Sequence, residues 1–127
     1  MMAVLGLTAL VSFVYPLVRF LAPVSGKAKF KEISLKKTEI PPGKAKDIAL
    51  NSTPIMVINR PGLGFIALSR VCTHLGCLVE YDPAQKRIFC PCHGAIFDLD
   101  GNVVSGPPPR PLPRFPLKVE GDSILIG

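Results

Sequence analysis

Every cysteine and histidine of this chain falls in two short stretches, Cys72-Thr73-His74-Leu75-Gly76-Cys77 and Cys90-Pro91-Cys92-His93-Gly94. Four Cys and two His are spent there and nowhere else, so this is not background usage. Whatever the chain folds into must serve these two stretches together. Each offers one Cys and one His at close spacing, Cys72 with His74 and Cys90 with His93, plus one further cysteine, Cys77 or Cys92. Two thiolates and two imidazoles suit a metal. The remaining pair of cysteines suits a disulfide.

A Cys2His2 set can close a tetrahedral zinc site. Zinc leaves the second cysteine pair without a role, and zinc fingers space their ligands differently. The alternative is a two-iron, two-sulfur cluster with Cys72 and Cys90 on one iron and His74 and His93 on the other. Neutral imidazoles in place of two thiolates make such a cluster less negative, so it takes an electron more readily. The paired boxes CTHLGC and CPCHG resemble those of Rieske iron–sulfur proteins, of the disulfide-containing kind found in cytochrome bc complexes. The resemblance implies a Rieske 2Fe-2S cluster held by Cys72, His74, Cys90 and His93, and a disulfide between Cys77 and Cys92. The lesser alternative for Cys77 and Cys92 is two buried free thiols. A persistent disulfide would argue for an oxidising compartment outside the cytoplasm.

Residues 1–18 contain no charge, and the apolar stretch runs past Arg19 to Leu21. About 20 helical residues span a 30 Å hydrocarbon core, and Pro16 is tolerated near the end of a membrane helix. Tyr15 and Arg19 suit an interfacial anchor and a snorkelling cation. A cleaved signal peptide fits less well, because there is no basic leading region and the apolar run is long. Residues 1–21 are therefore expected to be a transmembrane anchor, and Tyr15 to Leu21 is similar to the end of the Rieske anchor in the chloroplast and cyanobacterial branch. Residues 22–29, broken by Pro23 and Gly26, form a linker, which the resemblance makes a hinge. All the lysines follow the anchor, so the positive-inside rule alone would keep the head in the cytoplasm. The resemblance instead implies export of a folded head. No twin-arginine pair precedes the helix, which points to a misplaced start or an upstream segment outside this chain.

The net charge is +6. Lys27, Lys29, Lys31, Lys36, Lys37, Lys44 and Lys46 crowd one early segment without interleaved aromatics. They read as a solvated or headgroup-facing stretch, not as a nucleic-acid site. From Phe30 the periodicity is two. Hairpins are expected at Ile55–Ile58 with Gly64–Leu68 and at Leu78–Tyr81 with Arg87–Phe89, and further strands at Ala95–Leu99 leading through Asp100-Gly101-Asn102 to Val103–Val104, and at Leu117–Glu120 and Ser123–Ile126 around Gly121-Asp122. No helical period follows the anchor. The expected fold class is all-β: a Rieske-type antiparallel sandwich with a cluster-binding subdomain over residues 30–127, preceded by one transmembrane helix.

Two further stretches bear on the site. Gly106-Pro107-Pro108-Pro109, with Pro111, Pro113 and Pro116, is rigid coil by composition and resembles the family's proline loop, which shields the cluster from water. High-potential relatives carry Ser directly after the second box and Tyr two positions later, both hydrogen-bonding the cluster or its ligand sulfur. Here Ala95 and Phe97 stand there, so that tuning does not carry over. The resemblance implies a single-pass subunit in the cell membrane, with its head outside the cytoplasm, in a quinol-oxidising complex. Quinol (menaquinol, on the Ala95/Phe97 argument), a cytochrome b subunit and a c-type cytochrome are the implied partners. His93 and His74 are the expected catalytic residues, with His93 accepting the quinol hydrogen bond. The runner-up is the small Rieske relay subunit of a molybdenum oxidase such as arsenite oxidase. A soluble Rieske ferredoxin generally lacks the extra cysteine pair.

Overall fold

The computed structural model describes residues 2–21 and 31–127, with only the backbone given for residues 2–10. One α-helix, α1 (Met2–Leu21), carries Pro16 near its end and is about 30 Å long at 1.5 Å per residue. All its described side chains, from Val11 to Leu21, are exposed, Phe13 at 83% and Phe20 at 85% among them. Among the described residues no helix is long and apolar enough to cross a membrane. The expected hinge, residues 22–29, lies outside the described residues.

Eleven strands follow: β1 (Ile33–Lys36), β2 (Ala45–Leu50), β3 (Thr53–Arg60), β4 (Gly64–Ser69), β5 (Glu80–Asp82), β6 (Arg87–Cys90), β7 (Ala95–Phe97), β8 (Val103–Ser105), β9 (Arg114–Phe115), β10 (Leu117–Glu120) and β11 (Ser123–Ile126). They form three antiparallel sheets with strand orders β1-β11-β10, β2-β3-β4-β9 and β5-β6-β7-β8. The all-β expectation holds.

The middle sheet explains the unbroken apolar runs of β3 and β4. Successive strand residues face opposite sides, so a strand buried on both faces has no polar alternation. Ile55, Val57 and Ala67 pack against Leu35, Leu50, Ile124 and Ile126 of the sandwich. Met56, Ile58, Ile66 and Leu68 turn the other way, against Cys72, Val79, Ile88, Cys90, Ala95 and Phe97. The second cluster is the floor of the expected binding subdomain, built on β5–β8.

Three pieces depart from expectation. The lysine-rich segment is not merely solvated: Lys36 ends β1, Lys46 lies in β2 and pairs with Glu39. Strand β2 carries charge because it is an edge, and edges tolerate it. Its turn to β3, Asn51-Ser52, has φ of 49° and 67°. Two positive φ values mark the I′ hairpin geometry, here without glycine. Residues 37–39 form a 3-10 turn. Finally, the proline run contains β9, two residues between Pro113 and Pro116 that pair with Ala67 and Leu68. Proline is confined to sheet edges, and β9 is an edge.

Candidate metal centre

The two boxes are loops of the same construction. In the first, the Val71–Leu78 bridge closes the base, and the Cys72 amide donates to the Cys77 carbonyl at 2.7 Å. In the second, Cys90 and Ala95 are register partners of β6 and β7. Within each loop the leading cysteine carbonyl accepts from a glycine amide four residues on: Gly76 to Cys72 at 3.1 Å, Gly94 to Cys90 at 3.0 Å. Both glycines sit at positive φ, 77° and 68°, where a Cβ would be strained. One such turn after each strand throws the histidine forward while the cysteine stays in the core.

The expected donors come together. Cys72 and Cys90 are free thiols, 3% and 1% exposed. The His74 and His93 rings lie 4.9 Å apart between centroids, edge to face at 85°. His93 is exposed and His74 half-buried. The His74 Nδ1 is buried without a hydrogen-bond partner among the described residues, and an unpaired buried nitrogen is costly. A metal supplies that partner. Burial pushes the Cys72 thiol above its ordinary range, with the neighbouring Cys90 adding to the rise, while the amides of His74 and Leu75 directed at its sulfur pull the other way. Two buried thiols side by side resist ionising unless a cation compensates them, and metal ligation does so. On both counts the residues fit a two-thiolate, two-imidazole metal group. Donor chemistry alone would also admit tetrahedral zinc.

Cys77 and Cys92 form a disulfide, so the free-thiol alternative is excluded. It joins the two loops across a sequence separation of 15. Closing a loop of that size corresponds to about 3 kcal/mol. Replacing Cys77 by Ala is therefore expected to lower unfolding stability by about 2–5 kcal/mol while leaving all four donors in place. Denaturant titration measures the loss, and the rate of iron release to a chelator should rise. Unchanged stability and iron release would mean that the bond does not hold the loops.

The proline segment touches the first box, the strand leaving the second, and the turn between β7 and β8. A Cβ on Gly106 would stand 2.7 Å from the Ala95 Cα, so the segment touches the strand leaving the second box. The Thr73 hydroxyl donates to the Arg110 carbonyl at 2.6 Å, fastening the first box. Leu112 is buried, and its amide donates to the Gly101 carbonyl at 2.8 Å. The turn at Gly101 is itself held. The Asp98 carboxylate accepts from the amides of Asp100 and Asn102 at 2.9 and 2.8 Å, and Arg60 pairs with Asp100. Thr73 and the Arg60–Asp100 pair were not singled out from sequence. Thr73 sat in plain view inside the first box, but Arg60 and Asp100 are 40 residues apart and leave no local pattern.

Ala95 and Phe97 are both wholly buried on β7, in the same apolar cluster as Cys72 and Cys90. The strand beside the site thus presents no hydroxyl at either position.

Comparison with known proteins places these observations. The family model for the Rieske 2Fe-2S domain matches residues 32–116. A protein of Chlorobaculum thiosulfatiphilum named cytochrome b6-f complex iron-sulfur subunit is 43% identical over 96% of this chain and 68% of its own length. A crystal structure of a plasma membrane Rieske protein from the cyanobacterium Synechocystis PCC 6803 superposes with a TM-score of 0.62 and 34% identity, over 65% of this chain and 85% of that one. A chain of a hyperthermophilic respiratory Complex III superposes with a TM-score of 0.67 and 31% identity, over 97% of this chain and 96% of that one.

Proposed function

The chain belongs to the Rieske 2Fe-2S family, and from that premise we propose that it is the membrane-anchored iron–sulfur subunit of a quinol-oxidising cytochrome bc-type complex. The observation that carries this reading is the end-to-end likeness to a Complex III chain, which takes in 97% of the residues and so reaches beyond the head to α1. The relatives named as cytochrome b6-f subunits agree with it. Residues 1–21 are then the anchor, 22–29 the hinge and 30–127 the head. An exposed apolar helix with Arg19 in its last turn suits lipid on its flanks. The Cys77–Cys92 bond favours an oxidising compartment, so the head stands outside the cytoplasm.

Cys72 and Cys90 would hold one iron as thiolates, and His74 and His93 the other as neutral imidazoles. His74 would use its buried Nδ1. When bound, the cluster supplies one-electron redox chemistry at a potential raised by imidazole ligation. Everything else is the work of the chain. The proline segment, through Thr73, Gly106 and Leu112, keeps water from the cysteine side. His93, exposed, accepts the quinol hydrogen bond on its solvent-side nitrogen and takes the proton there. His74 is the second proton-carrying imidazole. A c-type cytochrome receives the electron, and a cytochrome b subunit supports the quinol site. Ala95 and Phe97 favour menaquinol as the donor, since a site without hydroxyl donors suits a low potential.

Purifying the tagged full chain from native membranes in mild detergent tests the assignment. A co-purifying b-type cytochrome with quinol oxidation supports it; a molybdopterin protein in its place would contradict it. Proton coupling has its own check. Where the oxidised form gives up an imidazole proton, the reduction potential is expected to fall by about 59 mV per pH unit, one proton per electron. A potential that stays flat far into the alkaline range would mean that the histidines do not carry the proton.

A further inference from the structure

The proline segment can donate little to any backbone ladder. Five of the eight residues from Gly106 to Pro113 are proline and offer no N–H. Its seat is one turn, where the Leu112 amide donates to the Gly101 carbonyl at 2.8 Å. Leu112 belongs to the apolar cluster that holds Cys72 and Cys90, so that seat decides how closely the cysteine side is covered. There is little slack in it: a Cβ on Gly101 would stand 3.0 Å from Leu68 Cδ2 and 3.3 Å from Leu112 Cβ. One side chain fixes the turn from two directions. Arg60 is aimed by the carbonyls of Gly64 and Leu63, which accept from it at 3.3 and 3.2 Å, and it pairs with Asp100. Arg114, just past the segment, donates to the Asp100 carbonyl at 3.0 Å and brings its guanidinium to 3.9 Å from the same carboxylate. We propose that Asp100 is a positioning residue for electron transfer: by joining Arg60 to Arg114 it latches the proline segment down and keeps water from the cysteine side.

The consequence for the site follows from charge. The reduced state is more negative than the oxidised one, and water stabilises the more charged state better than apolar surroundings do. A closed segment therefore lowers the potential, and a loosened one raises it. This consequence rests on the cluster reading above; the latch itself does not. The turn forms without the Asp100 carboxylate, because the Asp98 carboxylate accepts from the amides of Asp100 and Asn102. Asp100→Asn thus releases the latch and leaves the turn. Likewise β9 keeps its pairing with Ala67 and Leu68 when the Arg114 side chain is replaced.

The test uses the full chain in detergent and two variants that remove opposite charges, Asp100→Asn and Arg114→Gln. In the metal-free chain, hydrogen exchange in peptides covering the segment, read by mass spectrometry, is expected to run about fivefold faster in both, the scale of a partly exposed ion pair. In the cluster-loaded chain, both are expected to raise the reduction potential and to deepen the deuterium modulation of the reduced EPR signal in heavy water. Charge alone predicts otherwise: losing a negative group raises the potential and losing a positive one lowers it. Opposite shifts therefore overturn the proposal. So does unchanged exchange in the segment, and so does faster exchange with an unmoved potential. Should either variant fail to fold, Arg60→Gln takes its place, since it frees the same carboxylate from the middle sheet. If the variants exchange faster but the wild type takes up no two-iron cluster, the latch stands, and the cluster reading fails together with the role in electron transfer.

Discussion

Cys72→Ser, His74→Ala, Cys90→Ser and His93→Ala are each expected to abolish the reduced-state EPR signal of the cluster. The four side chains enter one site from two loops of like construction, and no spare donor stands by. The remaining sulfurs, Cys77 and Cys92, are bonded to each other. Removing one ligand opens an iron to water. His74→Ala also removes the buried Nδ1 that has no hydrogen-bond partner among the described residues, so the loss cannot be ascribed to a broken hydrogen bond. Iron and sulfide content, read beside circular dichroism, separates loss of the cluster from loss of the fold. The core on the far side of the middle sheet, Leu35, Ile55, Val57, Ile124 and Ile126, does not touch the site and should keep the sandwich folded. Full cluster occupancy in any of the four variants would sink the ligand assignment.

The second large effect concerns Ala95 and Phe97. A hydroxyl donor stabilises the reduced, more negative state over the oxidised one, and a hydrogen bond to a charged group contributes about 1.5–3 kcal/mol. Only the difference between redox states moves the potential, which leaves roughly 1–2 kcal/mol per missing donor, or about 2–4 kcal/mol for both. For one electron 59 mV corresponds to about 1.4 kcal/mol, so the chain should titrate roughly 80–170 mV below a relative carrying Ser and Tyr. That lies toward the lower part of the Rieske range of about −150 to +300 mV. The double substitution Ala95→Ser with Phe97→Tyr should recover much of the gap. Both positions are fully buried, so each added hydroxyl enters the apolar cluster that holds Cys72 and Cys90. A small loss of stability with no rise in potential would end the tuning argument. A wild-type potential already as high as that of ubiquinol-oxidising relatives would end the menaquinol reading with it.

The site was more legible than the fold around it. Ligand spacing is local: Cys72 to His74 and Cys90 to His93 sit within single loops, so the chemistry shows in a few consecutive letters. Even the Gly76 and Gly94 turns lie inside the boxes. The hairpins flanking those loops were visible for the same reason, as short apolar runs on either side of turn residues. What was hidden depends on contacts far apart in the chain. Strand β2 escaped because Lys46 and Asp47 make it look like solvated coil. Its ion pairs with Glu39 and Arg70 exist only once the sheets are assembled. Strand β9 was masked by its flanking prolines, whose strand role is permitted only at an edge. The Arg60–Asp100 contact and the seat of Gly106 on Ala95 join elements that no window of sequence shows together.

Cys72, Cys90, His74 and His93 are proposed to share one two-iron cluster. Nitrogen hyperfine spectroscopy on the reduced full-length protein, grown with isotopically labelled histidine, tests it most directly. Two coupled histidine nitrogens are expected on the cluster signal of the wild type. A cluster with no coupled histidine nitrogen, held by thiolates alone, would contradict it, as would a preparation whose only metal is zinc.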